Sequence, residues 1–472
     1  MTGPDTLAAA AEAVRAGTVS AVELVRQARA AADRCDRALG IFDARFDESA
    51  LAAAEAADTD QARGALRGPL HGVPIAVKDN IATVEAPCRA GSVVTGGGWL
   101  SGDAPAVARL RAAGAIVFGK TTMNEFAIGR PDPGKPFPIP RNPWRPKHWA
   151  GGSSSGSAVA VAVGAAAAAL GTDTGGSVRI PSAFCGVTGL KPTYGRVPNQ
   201  GSIPAGFSLD HVGPIARTAE DCALLLAVMA GPDPADPTTV HAPVPDYPAS
   251  LAGELRGLRI GVDRLSRVAA GAAHPDLPGR LDAALDVLTE LGAELTEVEL
   301  PRFGELTAAT LVTAFSEALA FHRDNLRTRS ADFAADTRRT LLTGAFFGSA
   351  DYVQAQRVRA VGRRELGNLL TGVDLVVTPT SSAPTPTIEA MLADELTGGY
   401  GPIHTTYWNG LGNPAITVPI GFADGLPLGM HLAGRWFDEA TVLRAAHAFQ
   451  SATDWHRSCP APLPDRSTLA PH

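Results

Sequence analysis

Apolar and polar positions change period several times along the chain, and each change predicts an element. Residues 6 to 34 carry Ala-rich helical runs broken at Gly17-Thr18, and Ser20-Ala-Val-Glu23 has the S-x-x-E spacing of a capping box, so two opening helices are expected. G-V-P-I-A-V-K-D-N (72 to 80) is a short apolar run ending in charge, which suits a buried strand delivering Lys78 to its tip. Between 105 and 119 the pattern reads helix, glycine stop, then a strand from Ala115 to Phe118. The Pro-rich, basic stretch 130 to 148 predicts a loop. Ala158 to Leu170, the longest apolar run, is shorter than the roughly 20 residues a bilayer needs and reads as a buried helix.

Farther along, Leu258 to Val262 and 374 to 380 read as strands, and 264 to 370 is mainly helical. N-P-A-I-T-V-P-I-G-F followed by G-L-P-L-G-M-H-L-A-G reads as a hairpin, and a helix from Glu439 to Ser451 closes the core. No repeat of fixed period occurs, and no linker is polar enough to cut the 472 residues into separate domains.

Composition narrows the class. Charged residues are 19% against a typical value of about 25%, and 45% are hydrophobic, so much of the chain is expected to be interior. A net charge of -7 without any basic run leaves no electrostatic footprint for nucleic acid. Cys35, Cys88, Cys185, Cys222 and Cys459 are odd in number, scattered and without C-x-x-C spacing. Neither a disulfide framework nor a zinc site is indicated, and a reducing cytoplasm is the expected location. Asp5 and Glu12 stand where a secretory signal would carry positive charge.

Three motifs compete for the chemistry. G-A-I-V-F-G-K-T (114 to 121) satisfies the P-loop spacing, but Ala-Ile-Val-Phe belongs in a strand, which makes Lys120 structural or a rim residue. G-S-S-S-G (152 to 156) satisfies the nucleophile-elbow pattern centred on Ser154, but no strand can be read before it. The third is larger: K-D-N at 78 to 80, A-G-G-S-S-S-G-S-A at 150 to 158, and G-T-D-T-G-G-S-V-R-I-P-S-A at 171 to 183. Gly175-Gly176 ahead of Ser177 lets the backbone turn tightly, exposing the hydroxyl and aligning consecutive N–H groups on one point, as an oxyanion hole requires.

These tracts, with S-L-D-H-V-G-P-I-A-R-T-A-E-D (208 to 221) and the N-P-A-I-T-V-P block, resemble the amidase signature family over nearly the whole chain. The resemblance implies an α/β fold with a large mixed β-sheet flanked by helices on both faces. It implies a single domain over 1–472, with the signature core at about 65–230 and a variable, substrate-shaping helical region at about 264–370. It makes Ser177 the acyl-forming nucleophile, Ser153 the bridging serine after a cis Gly152–Ser153 peptide, and Lys78 the base. The backbone N–H groups of Thr174, Gly175, Gly176 and Ser177 become the oxyanion hole, while Ser154, Asp173 and Arg179 become supporting groups. Ser155 departs from the family's usual glycine, which matters only if that backbone needs positive φ.

Lys78 must start neutral to serve as the base, and full burial can lower a lysine pKa by about 3 to 5 units. No metal and no cofactor is called for. Met123, Phe126, Tyr407 and Trp408 are candidate walls of an acyl pocket, though each is equally at home in a core. The expected function is hydrolysis of a small-molecule amide by a stand-alone amidase, without direct nucleic-acid or membrane binding and with a homodimer allowed. The alternative is the glutamine-hydrolysing component of a tRNA-dependent amidotransferase, its A chain. Y-G-R-V-P-N-Q-G-S-I-P (194 to 204) looks more like the stand-alone enzymes.

Overall fold

The computed structural model describes residues 5–96, 98–269, 271–393 and 403–461. Its strands are β1 (Phe42–Arg45), β2 (Pro74–Lys78), β3 (Ile116–Thr121), β4 (Ala168–Asp173), β5 (Thr188–Lys191), β6 (His211–Ala216), β7 (Arg259–Val262), β8 (Glu294–Glu297), β9 (Leu375–Pro379), β10 (Ala415–Ala423) and β11 (Leu426–Gly434). They form one mixed sheet in the order β1-β3-β2-β4-β6-β5-β10-β11-β9-β7-β8. β2 runs parallel to both β3 and β4, whereas β4 and β6 are antiparallel.

Alternation along the central strands feeds two cores. Ile75, Val77, Val117, Ala168 and Leu170 pack on one face, and Ala76, Ile116, Phe118 and Ala169 on the other. Helices cover both faces, as a mainly buried sheet requires. The first face is covered by the helices Pro105–Ala112, Ala219–Met229 and Glu439–Ser451; the second by Ala21–Leu39, Asp47–Ala62 and Ser155–Ala162.

Most predicted elements appear where the pattern puts them. The opening helices are Leu7–Arg15 and Ala21–Leu39, with Gly17 at φ 70° between them and the Ser20 hydroxyl capping the Glu23 amide at 3.0 Å. The hairpin β10–β11 and the helix Glu439–Ser451 are present, and no helix or strand falls in 130–148. Among the described residues no helix is long and apolar enough to cross a membrane.

The run Ala158–Leu170 is the main correction. Its helix stops at Ala162, Gly164 turns the chain at φ 74°, and the remainder enters β4. β4 lies between β2 and β6 and is buried throughout, so it lacks the alternation that distinguishes a strand from a buried helix. β1, β5, β6 and β8 are short strands that the periodicity does not reveal.

Close strand packing leaves no room at Gly213 in β6, where an added Cβ would stand 2.2 Å from the Leu190 carbonyl oxygen. Gly213→Ala is expected to destabilise the protein by about 1–3 kcal/mol or more, read as a lower urea midpoint with an unchanged slope.

Candidate active site

Two parallel strands end at the same place. β2 brings Lys78 and β4 brings Thr172 and Asp173 to their C-terminal ends, where open α/β sheets gather their sites. Lys78 is fully buried, and its Nζ lies 2.7 Å from Ser153 Oγ, 2.8 Å from Thr172 Oγ1 and 3.3 Å from Thr172 O. Asn80 donates Nδ2–H to Thr172 Oγ1 (3.1 Å) and to Ile203 O (3.2 Å). All three contacts are open to an ammonium donor, and in the neutral form the amine can give two N–H bonds to Thr172 and turn its lone pair to the Ser153 hydroxyl. Desolvation dominates over the opposing pull of Asp173 and Asp210 and pushes the Lys78 ammonium down to about 7.

Ser153 follows a cis Gly152–Ser153 peptide and is itself fully buried. Ser154 ties the two loops together: its amide donates to Ser177 O at 3.1 Å and its hydroxyl to Thr172 O at 3.2 Å. Ser155 opens the helix Ser155–Ala162 with its hydroxyl on Gly151 O and is not among the positive-φ residues, so a glycine is not required there. Ser177 is 9% exposed, against 0% for Lys78 and Ser153, which makes the nucleophile candidate the outermost of the three. Its hydroxyl makes no hydrogen bond among the described residues, so the structure joins Lys78 to Ser153 directly and Ser177 to this pair through the backbone.

Asp173 shapes the turn that carries Ser177. Its carboxylate accepts from the amides of Gly176 (2.8 Å) and Val178 (3.2 Å) and is gripped by Arg179 through Nε and Nη2, both at 2.9 Å. Asn409 donates to the same carboxylate at 2.8 Å, and Arg179 reaches Asn409 Oδ1 at 2.7 Å and His431 Nε2 at 2.9 Å. Despite burial, the Arg179 charge and these donors hold the Asp173 carboxyl well below the usual range.

One expected oxyanion donor is committed elsewhere. The Gly175 carbonyl accepts from Thr405 Oγ1 (2.7 Å) and Thr406 Oγ1 (3.0 Å), while the Gly176 amide of the same peptide donates to Asp173. That peptide is pinned at both ends, leaving the N–H groups of Thr174, Gly175 and Ser177 without an acceptor among the described residues. Gly176 has φ 130°, and a Cβ there would lie 2.0 Å from Thr405 Oγ1, so only glycine fits.

The four pocket candidates lie in the core instead. Phe126, Tyr407 and Trp408 are 0% exposed and Met123 is 5% exposed. Phe126 packs on Trp99, His322 and Phe333; Tyr407 stacks on Phe303 and donates to Pro301 O at 3.1 Å. Sequence reasoning also misses Thr172, Asn80, Asn409 and Thr405. Thr172 and Asn80 lie inside the quoted motifs, and Asn409 and Thr405 stand beside the aromatic pair chosen for the pocket. Both chance motifs dissolve: Lys120 is a buried β3 residue donating to Ile81 O at 2.5 Å, and no strand leads directly into Ser154, the last one before it being β3. Among the described residues no cluster of three or more His, Cys, Asp or Glu is placed to hold a metal.

The fold as a whole has counterparts among known proteins. The Amidase family profile matches residues 23–443, and the chain belongs to this amidase signature family of amide-hydrolysing enzymes. The A chain of the glutamyl-tRNA(Gln) amidotransferase of Chloroflexus aggregans is 41% identical over 96% of this chain and 98% of its own length. Of solved structures, a vestigial protein complex bearing on the origins of an s-triazine catabolic enzyme superposes with a TM-score of 0.87 at 33% identity, covering 95% of this chain and 98% of that one. The peptide amidase of Stenotrophomonas maltophilia gives 0.83 at 31% identity, covering 97% and 98%.

Removing Arg179 would leave the Asp173 carboxylate buried without its counter-ion. Arg179→Met is expected to lose about 3–5 kcal/mol of stability in urea unfolding, where deletion of an exposed arginine costs far less.

Proposed function

We propose that the chain hydrolyses a carboxamide through an acyl-enzyme on Ser177, with Ser153 and neutral Lys78 as the proton relay. The observation that carries this reading is the 2.7 Å contact between Lys78 Nζ and Ser153 Oγ in a site whose burial brings the ammonium to about 7. Lys78 takes the Ser153 proton as Ser153 takes that of Ser177, and Ser177 Oγ attacks the amide carbon. The carbonyl oxygen becomes an oxyanion facing the N–H groups of Thr174, Gly175 and Ser177. As the C–N bond breaks, the proton returns along the relay to the leaving ammonia or amine. Water then repeats the cycle on the ester, releasing acid and restoring Ser177.

For the substrate, likeness to the A chains of glutamyl-tRNA(Gln) amidotransferases at about two-fifths identity favours glutamine over the stand-alone amide expected from 194–204, with hydrolysis coupled to partner proteins. The stand-alone reading is supported by the superposition on a peptide amidase.

Ammonia release by the purified chain from glutamine, peptide C-terminal amides, aryl amides and alkyl amides separates the two. Turnover of glutamine that rises sharply on adding the other amidotransferase components and charged tRNA is the expected result. Rapid hydrolysis of another amide by the chain alone would favour the stand-alone enzyme. Ser177→Ala and Lys78→Ala are each expected to lower the rate by at least about 1000-fold, and near wild-type turnover by either would overturn the mechanism.

A further inference from the structure

Asp210 stands one residue before β6, opposite the point where β4 passes into the Ser177 turn, since Asp173 pairs with His211 across the ladder. Its side chain is almost wholly enclosed, at 7% residue exposure. The carboxylate accepts from the Thr174 hydroxyl, from the Ala205 amide at 3.0 Å and from the Gly206 amide at 3.1 Å. All three partners are donors, so the carboxylate joins the start of the turn to the 205–209 loop.

That loop is fixed from its other side as well. Ser208 donates its amide (3.0 Å) and hydroxyl (2.6 Å) to Glu317, Tyr194 donates to Phe207 O at 2.8 Å, and Asn199 Nδ2 donates to Asp210 O at 2.7 Å. A Cβ on Gly206 would come within 3.3 Å of Thr174 Cγ2 and 3.5 Å of Ala314 Cα, which shows how closely the loop is wedged against the turn. Thr174 is thus held by its side chain, while its own N–H and that of Gly175 remain unclaimed among the described residues.

We propose that Asp210 is a positioning residue for the reaction. By holding the Thr174 hydroxyl it fixes the orientation of the Thr174 and Gly175 peptides, so that their N–H groups meet the oxyanion formed when Ser177 attacks. The inference rests on the reading of this turn as the oxyanion site. It assigns Asp210 no contact with the substrate, and its effect falls on the transition state more than on substrate binding.

Thr174→Val removes the hydroxyl at nearly constant shape, Thr174→Ser restores it, and Asp210→Ala removes the acceptor. Two readouts apply: kcat and KM on the best amide of the panel, and the second-order rate at which a fluorophosphonate labels Ser177, which needs no knowledge of the natural substrate. Thr174→Val is expected to lower kcat and the labelling rate by about 10- to 100-fold with KM within about threefold. Thr174→Ser is expected to recover most of the rate, and the double variant Thr174→Val/Asp210→Ala to be no slower than the slower single. Melting temperatures measured alongside separate this from a merely structural role, which would move Tm and leave labelling of the folded protein unchanged. Labelling of Thr174→Val at the wild-type rate overturns the proposal even if Asp210→Ala fails to fold, and where Asp210→Ala folds, full additivity of the two substitutions overturns it as well. Failure of the wild-type chain to label at Ser177 overturns the catalytic reading and this inference together, whereas normal wild-type labelling with an indifferent Thr174→Val sinks the inference alone.

Discussion

A primary amine enclosed at the end of a central strand, with neutral oxygens as its hydrogen-bond partners, is the constraint around which the site is arranged. Lys78 has Ser153 and Thr172 as those partners. Lys120, one strand away and equally buried, is met instead by the Asp79 carboxylate at 3.5 Å. Desolvation opposes the charged form of any buried lysine, and without an adjacent carboxylate nothing offsets it fully. The sheet supplies that isolation: Ile75, Val77 and Leu170 on one face and Ala76 and Ala169 on the other seal β2 and β4 up to Lys78 and Thr172.

The anion nearest in sequence to the Ser177 turn has to be kept from undoing this. Asp173 pulls the Lys78 pKa upward, yet its carboxylate is claimed by the Arg179 side chain, Asn409 and three backbone amides. The same bonds fold the turn, so one buried ion pair both offsets a charge and presents Ser177. Thr405 and Thr406 hold the opposite end of the Gly175–Gly176 peptide, coupling the turn to the helix Thr406–Leu411. A sheet strand, an ion pair and a short helix thereby converge on three backbone amides and one hydroxyl.

Much of this is legible from particular residues. Lys78 falls at a strand tip because apolar residues run directly into charge, and the Gly-Gly-Ser order announces a tight turn. The glycine at 176 is explained by its positive φ and by Thr405, which no local pattern could reveal, since Thr405 lies more than 200 residues away. β4 is hidden because a strand buried on both faces has the composition of a buried helix. Thr172 and Asn80 escape because a lone-pair direction depends on three-dimensional neighbours. Burial of the aromatic pocket candidates escapes for a related reason: aromatic residues in family-like loops are large enough to be core themselves, and Tyr407 and Trp408 pack there.

Activation of Ser177 by neutral Lys78 is the central step of the proposed mechanism. The most direct measurement is the rate at which a fluorophosphonate labels the protein at pH 6 and at pH 8, with the adduct located by peptide mass mapping. With the Lys78 ammonium at about 7, the neutral fraction rises about tenfold between these two pH values, so labelling at Ser177 should be about ten times faster at pH 8 and nearly absent in Lys78→Ala. An adduct on Ser153 or Ser154, or a rate at Ser177 that is the same at both pH values and survives Lys78→Ala, would contradict it.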